Sequence, residues 1–190
     1  VQYSKLTIED SVGTGKMYFY AKDVAQNLLL AENRSTIVIN GGTFCYTGTN
    51  AMYCEMIKLS ASDLVINDGY FDAQIGTPIK LDNGFAGGGP GTLNSTALIN
   101  GGTIVTTSSI ALSSIDGCAY YASLVMTGGT ITNKSKGRVT DKTGTIISDP
   151  YFVRVTSDEA LQKKYYNITL LGGTMPLSPN DIEVYYPTEK

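Results

Sequence analysis

The chain has 190 residues, 42% of them hydrophobic and 16% charged, with 21 glycines and a formal net charge of −3, which excludes a disordered tail and fits one turn-rich β domain or a row of stacked repeats. Its 14 Lys and Arg are spread thinly and no run approaches the roughly 18 apolar residues of a membrane span, so neither nucleic-acid binding nor membrane insertion is expected. There is no His, which removes Ser-His-Asp and Cys-His catalysis and every imidazole zinc site.

Val1 is neither an initiator Met nor the start of a signal sequence, and the chain is expected to be a processed product or a piece of something longer. Residues 1–35 read as a degraded first rung or cap that begins at Leu6-Thr7-Ile8. From Thr36 onward a repeat takes over. Ile37 to Phe44, Leu64 to Phe71, Ala97 to Ile104 and Leu124 to Ile131 align without gaps, and Ile168 to Met175 carries the same Gly-Gly-Thr. The first glycine position falls at Gly41, Asp68, Gly101, Gly128 and Gly172, giving steps of 27, 33, 27 and 44 residues.

Each segment is an alternating aliphatic run, stopped by a glycine pair and restarted by Thr and a large apolar residue, which predicts strand, bend, strand. A step of this length holds three strands of about five residues with short connections. Stacked in register, Ile39, Ile66, Ile99, Met126 and Leu170 form one internal column, and Phe44, Phe71, Ile104, Ile131 and Met175 another. Asn40, Asn67 and Asn100 then stand above one another at the bend, placed to bond along the stack. Gly84 to Gly91 reads as a loop. Thr156 to Glu159 has capping-box spacing ahead of an Ala-Leu-Gln-Lys-Lys run, predicting a short helix near 157–164. Residues 36–175 are thus the repeats and 176–190 a C-terminal tail, all in a single domain.

On these Ile-Asn-Gly-Gly-Thr-Phe segments the chain resembles the pectin-lyase-like right-handed parallel β-helix family, in particular the repeats of phage tail and bacterial surface proteins. The resemblance implies an all-β fold of about five to six rungs and an extracellular, cell-surface or virion location. It also implies a second possibility, a polysaccharide lyase or glycan-degrading enzyme. Members that use a Gly-His-Gly element are excluded by the absence of His. A lyase would have to use Lys80, Lys58 or Arg138 as base, with Asp72 as a calcium ligand, although no calcium-loop motif is present.

The second repeat departs most from the pattern: Asp68 replaces Gly, Tyr70 replaces Thr, and Asp72 follows the buried Phe71. Period-2 alternation turns Tyr70 and Asp72 outward together, where a ring and a carboxylate make a sugar platform or simply a solvated strand. Ile57-Lys58-Leu59 and Ile79-Lys80-Leu81 repeat an inward-outward-inward triplet, so Lys58 and Lys80 stack on another face, attracting an acidic ligand or serving as a solubilising edge. Val38, Val65, Leu98 and Val125 share one outward position, an apolar stripe that predicts either a homotrimer interface or cover by the 158–164 helix or by the tail at Ile182, Val184, Tyr185 and Tyr186. No motif calls for a cofactor or metal. Cys45, Cys54 and Cys118 match no metal cluster and read as buried small hydrophobes, with a Cys45–Cys54 bridge as the alternative.

The residues therefore predict a non-enzymatic β-helical scaffold, because the outward positions are mostly Thr, Ser and Asn. Its expected partner is a surface glycan or host receptor, bound through Tyr70, Asp72, Asp68, Lys58 and Lys80.

Overall fold

The computed structural model describes residues 3–23, 25–49, 54–82, 94–113, 122–140, 146–148, 153–156, 166–174 and 182–185. They form seventeen strands and no helix. The helix expected near 157–164, the loop at 84–91, Met175 and Cys118 lie outside the described residues.

In chain order the strands are β1 (Lys5–Ile8), β2 (Lys16–Ala21), β3 (Asn27–Glu32), β4 (Thr36–Gly48), β5 (Glu55–Ser60), β6 (Asp63–Ala73), β7 (Thr77–Asp82), β8 (Ser95–Ile99) and β9 (Thr103–Thr106), followed by β10 (Ile110–Ser113), β11 (Ala122–Met126), β12 (Thr130–Asn133), β13 (Val139–Thr140), β14 (Ile146–Ser148), β15 (Val153–Thr156), β16 (Tyr166–Leu170) and β17 (Ile182–Tyr185). One sheet has nine strands, ordered β1-β4-β6-β8-β11-β16, with β2 on β4 and β9 and β12 extending β6. The other has six, ordered β17-β15-β10-β7-β5-β3. Every pairing in both is parallel, and only the small β13-β14 pair is antiparallel. From β3 to β8 the chain alternates between the sheets, which is how parallel neighbours arise without hairpins.

The register is the one the repeats predict. Ile39 pairs with Ile66, Ile66 with Ile99, Ile99 with Met126 and Met126 with Leu170. Phe44 pairs with Phe71 and Phe71 with Ile104. The two phenylalanine rings lie flat on each other, with centroids 4.8 Å apart at 5°. Phe19 and Tyr46 stack likewise at 5.5 Å and 9°. Ile37, Ile39, Leu64, Ile66, Ile99 and Met126 are fully buried, and they share one cluster with Leu59, Ile79 and Leu81 of the other sheet.

The glycine pair has two different jobs. At Gly101, Gly128 and Gly172 the first glycine passes under the carbonyl of the preceding repeat: a Cβ at Gly128 would sit 2.2 Å from the Asn100 oxygen. The second takes a positive φ, +85° at Gly129, where an L side chain is strained. Beside the bend the asparagines bond amide to amide. Asn67 Nδ2 donates to Asn40 Oδ1 and Asn100 Nδ2 to Asn67 Oδ1, each at 2.8 Å. Glu9 extends this ladder at one end, accepting from Asn40 at 3.3 Å, and the Thr127 hydroxyl extends it at the other, donating to Asn100 Oδ1 at 2.7 Å.

A second polar column marks the opposite corner. Ser35 and Ser62, just ahead of β4 and β6, and Ser95, the first residue of β8, are fully or almost fully buried. Their hydroxyls bond to corner backbone: Ser35 N donates to Ser62 Oγ at 3.1 Å, and Ser35 Oγ donates to the Glu32 carbonyl at 2.7 Å. Buried backbone groups at the turns are thus paired.

Ile66 packs at the centre of the longest column, so Ile66→Ala is expected to lower unfolding free energy by about 2 to 5 kcal/mol through the cavity it leaves. Urea denaturation followed by β-sheet circular dichroism measures it.

Candidate ligand-binding face

Beyond the glycine bend, β2, β4, β6, β9 and β12 run side by side. Alternation sends Phe44, Phe71, Ile104 and Ile131 inward and their neighbours outward, with Met17 in the same column but still exposed. The outward columns read Lys16, Thr43, Tyr70, Thr103 and Thr130, then Tyr18, Cys45, Asp72, Val105 and Thr132. Tyr70 is 42% exposed, Tyr18 69% and Tyr20 58%, so three rings stand in water on one face of the sheet.

Asp72 is half-buried, and its Oδ2 accepts from Gln74 Nε2 at 2.8 Å. Among the described residues its Oδ1 has no partner. Asp68 sits apart at the bend, where Oδ1 accepts from the Gly69 N–H at 2.8 Å, a turn-forming bond. Lys58 and Lys80 do stack in register, but on the six-stranded sheet. Each has a carboxylate: Lys80 Nζ is 3.1 Å from Glu55, and Lys58 Nζ is 3.9 Å from Asp82. Glu55 is buried, and the Asn27 amide, oriented with its nitrogen toward it, donates to Oε2 at 2.9 Å. The lysine column is therefore an ion-paired strip on a different sheet from Tyr70 and Asp72.

Val38, Val65, Leu98 and Val125 form one continuous outward column, each half-buried because its stacked neighbours cover its flanks. The tail segment expected as an alternative cover instead forms β17, paired with β15 in the other sheet. Cys45 and Cys54 are free thiols, so the bridge between them is not formed: Cys45 lies in an outward column, while Cys54 is buried.

Sequence reasoning missed Tyr18 and Tyr20. Their strand alternates as Lys-Met-Tyr-Phe-Tyr, but the bend ahead of it holds four more residues than the Ile39-to-Phe44 bend does, hiding the alignment of Met17 with Phe44. Asp10 organises this insertion. Its Oδ1 accepts from the N–H groups of Val12, Gly13 and Thr14 at 3.3, 2.8 and 3.3 Å, and its Oδ2 from Gly15 at 2.8 Å. Partial burial pushes this carboxyl up, but the four donors outweigh it and hold it below the ordinary value of 3.8. Beside the loop a cavity of about 150 Å³ opens between Ile8, Glu9, Asp10, Lys16, Thr43 and Phe44.

No group of three or more metal-ligating side chains occurs among the described residues. Comparison with protein-family models, with curated proteins and with solved structures finds no significant match.

Because the folded Asp10 carboxyl lies below its unfolded value, its stabilisation of the loop is complete above the unfolded pKa and disappears as pH falls through the folded one. The Gly13 and Gly15 amide resonances should titrate together with a midpoint below 3.8, and the step should vanish in Asp10→Asn. A midpoint at or above 3.8 contradicts the capping role.

Proposed function

We propose that the chain is a right-handed parallel β-helix of the pectin-lyase-like kind, with about five to six rungs. It serves as a non-enzymatic module of a phage tail or bacterial surface protein and presents a glycan-binding face outside the cell or on a virion. The alternation between two parallel sheets and the core shared between them support the helical reading. The observation that carries the binding reading is the gathering of exposed Tyr18, Tyr20 and Tyr70 beside Asp72 on one face. Exposed rings next to a carboxylate offer stacking for sugar C–H faces and an acceptor for hydroxyls. A lyase needs its base and its acidic-substrate contacts together, whereas Lys58 and Lys80 are ion-paired on the other sheet. That favours binding over catalysis.

Replacing Tyr70 and Asp72 together by Ala should weaken binding to any glycan found on an array by about tenfold or more, since aromatic and charged contacts dominate such interfaces. The melting temperature should fall by no more than about 2 to 4 °C, the shift produced by about 1 kcal/mol in a chain of this length. Unchanged binding discards these two residues.

The same reading joins three copies around a rotation axis through Val38, Val65, Leu98 and Val125. Light scattering should give a trimer for the wild type and a smaller species, with its β-sheet signal kept, for Val65→Lys with Leu98→Asp. A stable wild-type monomer refutes the trimer.

A further inference from the structure

The outward face of β2, β4 and β6 is not flat. On β4 the outward residues are small, Thr43, Cys45 and Thr47, while the strands on either side carry Lys16, Tyr18 and Tyr20 on β2 and Tyr70 and Asp72 on β6. Two larger walls thus flank a low floor, forming a trough that runs along the strands. Its walls stand two strand spacings apart, about 9.6 Å.

We propose that this trough takes an uncharged pyranose chain lying along the strands, in contact with Tyr18 on one wall and Tyr70 on the other, an inference that rests on reading the face as glycan-binding. Three observations select that class. Tyr18 lies across from Asp72 and Tyr70 across from Lys16, so the two rings are offset by two residues, about 6.6 Å, along the trough, and a chain of saturated rings meets both by running with the strands. The trough is close to electrically balanced, with Lys16 on one wall and Asp72 on the other. One lysine makes no cationic track, and a uronate chain in the trough must pass Asp72. Finally, Asp72 on the β6 wall accepts from Gln74 through Oδ2, which leaves Oδ1 as an acceptor suited to sugar hydroxyls.

Cys45 in the floor provides a direct reporter. In a Cys118→Ser background, with Cys54 buried, the rate of Cys45 alkylation is measured with and without saturating neutral tetrasaccharides, cellotetraose and maltotetraose, and with tetragalacturonate. Protection of Cys45 by at least one neutral tetrasaccharide is expected, with none from the uronate. Tyr18→Ala should weaken that binding by roughly two- to tenfold, the range of one aromatic contact, without lowering the melting temperature. Protection by tetragalacturonate alone overturns the uncharged class while leaving a glycan-binding face. Glycan binding that neither protects Cys45 nor responds to Tyr18→Ala overturns the trough while leaving the face. Absence of binding to every neutral and acidic glycan on the array overturns both readings together.

Discussion

Everything in this fold follows from one constraint: each repeat hydrogen-bonds in parallel, in register, with the repeat before it. Parallel pairing at equal residue positions puts like on like, so Ile39 lies over Ile66 and Phe44 over Phe71. A single repeat has too little apolar surface to fold alone, and the stack supplies it. The same constraint sets the spacing at which the phenylalanine rings meet, 4.8 Å between centroids, which is the strand separation itself.

Stacking also concentrates difficulty at the bends, where each turn lies directly under another. The solution differs between the two corners. At one, glycine lets a carbonyl of the preceding repeat approach, and asparagine amides repeat their bond from rung to rung. At the other, small buried serines satisfy the corner backbone. Both devices are periodic because the obstacle they meet is periodic.

Much of this was legible beforehand, because stacked repeats turn alignment into geometry: the two internal columns, the asparagine ladder and the outward direction of Tyr70 and Val65 all come from counting along the chain. What escaped did so for physical reasons. The four extra residues around Asp10 break the spacing between Ile8 and Met17, so the second half of the first rung, with Tyr18 and Tyr20, was hidden. The serine corner carries no hydrophobic signal, since a small hydroxyl residue ahead of a strand resembles any turn residue. The lysines were placed in register, but their carboxylate partners could not be found by spacing: Glu55 reaches Lys80 across strands, at an offset that alternation does not predict.

The two walls of the trough differ in mechanical footing. β6 is bonded on both sides, to β4 and to β8 and β9, whereas among the described residues β2 is bonded to β4 alone. An edge strand opens at lower free energy than an interior one, and its amides exchange with solvent sooner. Tyr18 and Tyr20 therefore stand on the compliant side and Tyr70 and Asp72 on the fixed side, with the Asp10 loop as the tether at the near end of β2. Width becomes an adjustable property of the trough, set by how far β2 can lean from β4.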